Sequence, residues 1–202
     1  MTRAVFTRED ADTRRQALIE ATAASLAEAG IAGTSVRAIC MRAGVSAGLL
    51  RHYFDGVDAL IAETYRATTA TVGEAHAAAV AAAGADPRAR LIAYVTASFR
   101  PPVADPALLA TWLAFWSLVK TDAAIAAIHA DTYRGYRGEL EGLLSSCGLE
   151  QAQCRSAAIA LTALVDGLWL ELTLDPTTFT AEQASAMAVR WLDSLLEGNS
   201  LD

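Results

Sequence analysis

The 202-residue chain has only three cysteines, Cys40, Cys147 and Cys154, too few and too scattered for a disulfide framework or a paired C-x-x-C metal signature. Although 53% of its residues are hydrophobic, the sequence shows no obvious apolar run of membrane-span length. Its opening stretch, "MTRAVFTREDADTRR", carries charge where a signal peptide carries an apolar core, so a soluble, cytoplasmic protein is expected. No stretch alternates as a strand does, which argues against a sheet. His52, His76 and His129 are scattered, with no His-x-x-x-His pair and no glycine-rich phosphate loop. No metal, no cofactor and no catalytic constellation are therefore expected, and an all-helical enzyme is the disfavoured alternative. Cys147 and Cys154 flank Gly148 near a predicted helix junction; they read as small packing residues, with a redox pair as the alternative.

A net charge of -7 argues against nucleic acid until its distribution is considered. Residues 1–60 hold seven arginines and seven acids, whereas the remainder holds nine basic groups, sixteen acids and the whole deficit. An acidic body joined to a neutral head with clustered arginines can still meet DNA through the head.

Helical period runs through almost the entire chain, and its punctuation is plain. Asp86-Pro87 and Asp105-Pro106 each read as an N-cap followed by proline at the first helical position. Thr180 and Gln183 fit a capping box, Asp175-Pro176 ends the helix before it, and Gly30 and Gly148 read as C-terminal stops. These marks predict about nine helices, near 12–29, 35–42, 46–52, 57–83, 87–99, 106–120, 122–147, 150–174 and 180–197. The alanine-rich "HAAAVAAAGA" finishes the fourth helix and marks the passage from head to body.

One segment departs from this pattern. In "RAGVSAGLLRHYF", residues 42–54, a Gly-Val-Ser step breaks one helix and a second of barely two turns follows. Ile39 and Cys40 face inward, Gly44 supplies the left-handed turn, and Leu50 and Tyr53 follow at helical spacing. Ser46 is placed to cap the second helix. Seven helical residues span about 10 Å, which suits a probe entering a major groove about 12 Å wide.

The stretch "TSVRAICMRAGVSAGLLRHYFDGVDAL", residues 34–60, resembles the DNA-binding domain of TetR-type transcriptional repressors. That resemblance implies an all-α protein with a three-helix helix-turn-helix domain at 1–56 and a helical effector-binding and dimerisation domain at 57–202. It implies that Thr34, Ser46 and Tyr53 meet phosphates, that Leu50 and His52 lie near bases or sugars, and that Gly48 lets the backbones approach. Ala47 and Val57 depart from the usual pattern, standing where a polar contact and a phosphate-binding lysine are common. Arg37, Arg42 and Arg51 then compensate, Arg51 being the best placed for a bidentate guanine contact. Arg3, Arg8, Arg14 and Arg15 are candidates for an arm along the phosphates, although acids interleave with them.

In the body, "ATWLAFWSL" (110–118), "ALVDGLWLEL" (163–172) and the Asp-Pro-Arg-Ala-Arg-Leu run at 86–91 resemble the choline-responsive BetI-type repressors. Trp112 and Trp116 are four apart, Tyr133 and Tyr136 three apart, and Asp166 and Trp169 three apart, so each pair shares a helix face. Aromatic faces with a carboxylate suit a quaternary ammonium, at about 0.5–2 kcal/mol per cation–π contact. The alternative is an aromatic core in which Asp166 pairs with Arg155 or Arg190 across a subunit interface. Leu161, Leu164, Val165, Leu168 and Leu172, followed by Trp191 and Leu195, offer more apolar surface than one monomer covers, so a homodimer joined by a four-helix bundle is expected. The expected function is a repressor that binds palindromic operator DNA and is released by a small, choline-like cation. A drug or lipid-like effector is the alternative.

Overall fold

The computed structural model describes residues 8–198, with side chains from Ala11 onward; Arg3 and the side chain of Arg8 lie outside the described residues. Among the described residues there are nine helices and no strand: α1 (Arg8–Gly33), α2 (Val36–Ala43), α3 (Ala47–Tyr53), α4 (Gly56–Ala82), α5 (Pro87–Ala97), α6 (Pro106–Leu118), α7 (Ala123–Ser146), α8 (Gln151–Leu174) and α9 (Ala181–Gly198). The capping chemistry explains the ends. Asp86 accepts from the Ala89 N–H at 2.7 Å to open α5, and Asp105 accepts from Leu108 at 2.9 Å to open α6. Thr180 and Gln183 close both arms of the capping box, at 2.8 and 3.3 Å. Glu150 and Gln153 form a second reciprocal box ahead of α8. Gly30 leaves helical geometry at φ 58°, so the long α1 breaks there. At Gly33 an added Cβ would lie 2.2 Å from the Ala29 Cβ, so only glycine fits.

The chain forms two compact units. The first runs to Thr68 and takes in Ala110–Ile128; the second comprises Thr69–Leu109 and the chain from His129 on. In the first, Leu18, Ile19, Ile39, Cys40, Leu50, Phe54 and Leu60 build a closed core under α1–α3. Its buried hydroxyls are satisfied locally: Thr22, Ser25 and Thr64 each donate to the carbonyl four residues back, at 2.7 to 2.8 Å. Arg14 and Arg15 lie within α1 rather than on a mobile arm, and Arg15 pairs with Glu63 while its guanidinium sits 5.3 Å over the Phe54 ring.

In the second unit α9 packs on α5 and α8, burying Ala184, Ala188 and Leu192 at helical spacing. Arg88 of α5 pairs with Asp193 of α9. By length and composition α8 is apolar enough to cross a membrane, contrary to the expectation that no such run exists. It nevertheless carries Asp166 and Glu171 and buries Cys154, Ala158, Leu161, Val165 and Trp169 within the unit.

Candidate functional site

The break between α2 and α3 is held by two serines and a glycine. Ser35 caps α2, accepting from Ala38 N–H at 3.2 Å. Gly44 takes the left-handed conformation, φ 65° and ψ 30°, while Val45 N–H donates to the Cys40 carbonyl at 3.0 Å. Ser46 caps α3 by accepting from Leu49 N–H at 3.2 Å, which leaves its own proton to donate outward.

Ala47, Gly48, Arg51 and His52 are exposed along one side of α3 together with Ser46. Tyr53 is half-buried, its ring 5.2 Å from that of His52. Leu50 is corrected: it is fully buried in the head core, anchoring α3 rather than facing a ligand. Thr34 is corrected too, because its hydroxyl donates back to the Gly30 carbonyl at 2.8 Å and its N–H to the Ile31 carbonyl at 3.1 Å, leaving no donor for a phosphate. Gly48 needs no glycine for internal reasons, since an added Cβ would meet nothing nearer than Ser46 Oγ at 3.7 Å.

The arginines fall into two groups. Arg42 pairs with Glu28, and Glu63 holds both Arg15 and, at 3.2 Å, Arg66. The Arg15 hydrogen bond, chiefly, holds the Glu63 carboxyl below its usual range. Arg37 and Arg51 are exposed and make no ion pair among the described residues.

Two of the six residues proposed for the ligand lie in the first unit. Trp112 is buried with its ring edge-on to Tyr65 at 5.2 Å, Tyr65 stacks on Phe115 at 4.3 Å, and Trp116 lies 6.4 Å from Trp112. The Trp116 indole N–H is buried without a hydrogen-bond partner.

The other four belong to the second unit, where they meet residues that the sequence reading missed. His76 lies 4.8 Å from Tyr94 and 5.6 Å from Tyr136, and the two tyrosines are 5.2 Å apart. His76 Nδ1 lies 2.8 Å from the Val72 carbonyl, which can only accept, so Nδ1 carries the proton. Burial lowers the His76 pKa, keeping the ring neutral, and Nε2 therefore accepts from the Ser98 hydroxyl at 3.0 Å. Trp169 Nε1–H donates to the Ser98 carbonyl at 2.8 Å. A single residue, Ser98, thus joins α4 to α8.

Asp166 sits beside this group. Burial pushes its carboxyl up to about 6, against the opposing effects of a Tyr133 hydrogen bond and the positive charge of Arg137. Tyr133 packs on His129 at 4.2 Å and has the Arg137 guanidinium 5.9 Å from its ring. Within this one chain, Arg137 is the cation whose charge reaches Asp166, and no ion pair closes between them among the described residues. Between α4, α5 and α7 a cavity of about 690 Å³ is lined by Val72, His76, Val80, Tyr94, Tyr136 and Leu143, among others, with Arg90, Asp131 and Glu139 also in its wall.

Of the residues proposed for subunit contact, Leu161 and Val165 are corrected: at 0% and 5% exposure they are core of their own unit. Leu164, Leu168, Leu172, Trp191 and Leu195 are half-buried. Ile159, Leu170 and Leu174, which the sequence reading missed, are the exposed large apolar residues of α8. Cys154 is fully buried and Cys147 half-buried, and burial pushes both thiols up, away from the reactive thiolate.

Residues 18–64 match the family model of bacterial regulatory proteins of the tetR family, and residues 87–197 match that of the C-terminal region of BetI-type transcriptional repressors. The HTH-type transcriptional regulator BetI of Burkholderia thailandensis is 37% identical over 186 residues, covering 92% of this chain and 94% of that protein. A transcriptional regulator from Pseudomonas aeruginosa PAO1 has a solved structure that superposes with a TM-score of 0.86 at 43% identity, covering 96% of each chain. A transcriptional regulator from Saccharomonospora viridis, solved in complex with choline, superposes with a TM-score of 0.79 at 17% identity over 90% of this chain and 96% of that one.

Proposed function

Since the chain belongs to the TetR family of bacterial regulatory proteins and carries a BetI-type C-terminal region, we propose that it is a cytoplasmic, homodimeric repressor that reads a palindromic operator and is released by a choline-like cation. Residues 1–56 read the DNA in this proposal, and residues 57–202 bind the effector and the partner subunit. Ser46 and Tyr53 take phosphates, Arg51 and His52 meet base edges, and the bare backbone at Gly48 lets the duplex come close. Arg37 supplies the unpaired charge that Ala47 and Val57 do not. Two probes of seven residues each are weak alone; a two-fold dimer makes them read two half-sites about one helical turn apart. The half-buried and exposed apolar residues of α8 and α9 supply the subunit contact.

The observation that carries the ligand reading is Asp166. A carboxylate beside Tyr133 and Tyr136, with burial raising its pKa and no ion pair among the described residues to offset it, is stabilised by an arriving cation. Ring faces add cation–π attraction for a quaternary ammonium, which forms no hydrogen bonds of its own. The choline bound to the Saccharomonospora viridis protein supports the same chemistry on the same fold. Induction is then a population shift: the ligand favours a body conformation in which the two probes no longer fit successive grooves. A coupling of about 1–3 kcal/mol changes operator affinity roughly 5- to 150-fold. A gel-shift titration with choline and unrelated amines tests this, and unaltered operator binding at saturating choline contradicts it.

A larger hydrophobic or cationic effector is the second reading, favoured by the cavity of about 690 Å³ with Val72, Val80 and Leu143 in its wall. That volume falls in the roughly 300–1,000 Å³ range of drug-sized ligand pockets.

A further inference from the structure

The outward side of α3 is nearly bare. Leu50 and, at the C-cap, Phe54 fix the inner side in the head core, and Ser46, Ala47, Gly48, Arg51 and His52 are exposed on the other. Ala47 and Gly48 together carry one methyl group as side chain. Nothing inside the head calls for so bare a start, since a Cβ added at Gly48 would meet only Ser46 Oγ, at 3.7 Å. Glycine inside a helix is destabilising relative to alanine, so the bareness serves a surface that comes up to the helix from outside. One turn on from Ala47 stands Arg51, exposed and without an ion pair among the described residues, whereas Arg42 is held by Glu28.

We propose that Ala47 is a specificity-determining residue that reads the C5-methyl of a thymine, with Arg51 reading a guanine about two base pairs away. The inference rests on the operator-binding role proposed above and deepens it from a palindrome of any sequence to a half-site of stated bases. In the major groove thymine alone presents an apolar group. A methyl pressed on the amino group of adenine or cytosine, or on guanine O6, strips water from it and returns no hydrogen bond. The thymine methyl loses nothing there and gains an apolar contact. Gly48 permits the close approach that such a short side chain needs. The guanidinium fork of Arg51 matches O6 and N7 of guanine. The spacing follows from the helix: at a rise of about 1.5 Å per residue, four residues separate Ala47 from Arg51 by about 6 Å. That is close to two base steps of about 3.4 Å.

The test begins with selection of binding sites by the full chain from a random duplex library. A palindrome whose half-site holds a thymine and a guanine about two base pairs apart is expected. Each thymine of one half-site is then replaced in turn by uracil, which removes the C5-methyl and nothing else. At one of them wild-type affinity should fall about fourfold, the worth of one buried methyl. Ala47→Gly should bind the thymine and uracil duplexes equally, and Arg51→Ala should lose a guanine preference of about 5- to 150-fold. The uracil scan of the wild type needs no variant, and a melting curve shows whether each variant is folded. Wild-type binding indifferent to uracil at every thymine overturns the inference and leaves operator reading standing. A uracil penalty that persists in Ala47→Gly assigns the methyl to another residue and overturns it too, as does a guanine preference untouched in Arg51→Ala. If no sequence is enriched, the operator reading falls and the inference with it.

Discussion

The head and the second unit spend their buried polar groups in opposite ways. In the head and the start of α4 the buried hydroxyls of Thr22, Ser25 and Thr64 are closed onto their own helices, and the core is apolar, with Cys40 its one thiol. In the second unit Thr96 Oγ1 is buried without a hydrogen-bond partner, and Asp166 is held with its carboxyl pushed up to about 6. The head is a closed scaffold that leaves Ser46, Gly48, Arg51 and His52 exposed on its surface. The second unit keeps unspent polarity inside, as α6 does at the Trp116 indole N–H.

Leu50→Ala breaks this contrast most severely. Removing a fully buried leucine from the head core should cost about 2–5 kcal/mol. Operator binding should disappear in a gel shift while choline still alters tryptophan fluorescence. Simultaneous loss of both would show that the head core also supports the ligand site.

Asp166→Asn should move function and stability in opposite directions. Choline affinity should fall about 10- to 100-fold, whereas the neutral amide should stabilise the protein by about 1–2 kcal/mol near pH 7. A titration and a melting curve on the same sample read both. The pH dependence follows from the same carboxyl. Its folded pKa, about 6, lies above the ordinary value of 3.8. The destabilisation is therefore fully present above about pH 6 and is relieved as pH falls toward 4. Choline binding should weaken across that window as the carboxylate protonates, and an affinity flat between pH 7.5 and roughly 5 would exclude Asp166 as the cation's partner.

Glu28→Gln is the smallest test and concerns the head alone. Arg42 and Glu28 form an exposed pair, worth little to stability, about 0–1 kcal/mol. Freeing Arg42 should leave the melting temperature unchanged and steepen the salt dependence of operator binding by up to about one counterion. An unchanged slope would place Arg42 away from the phosphates.

Much of this was legible in the sequence because it is local. The Asp-Pro caps, the Thr180 capping box, the turn at Gly44 and the cap at Ser46 each depend on residues within four positions of one another, and nine helices follow from them. Misplaced residues share a different cause. Thr34 is expected at a phosphate because it opens the second helix, but its hydroxyl reaches back to the carbonyl of Gly30, a choice composition does not show. On a helix as short as α3 two adjacent leucines straddle the boundary between core and surface, and Leu50 falls inside it. Along α8 apolar residues surround the axis, so periodicity does not separate Leu161 and Val165, which the unit covers, from Ile159 and Leu174, which it leaves exposed. The partners of Asp166 and His76 come from other helices. His76 meets Ser98 across 22 positions, and a lone histidine in an alanine-rich helix gives no sign of where its second nitrogen points.

The most direct test of the whole account is operator affinity of the wild-type protein at pH 7.5, measured with and without saturating choline. Tight binding as a dimer to a palindromic site is expected, weakened roughly 5- to 150-fold by choline. Operator binding that choline leaves unchanged, in a protein whose fluorescence reports no choline binding, would contradict it.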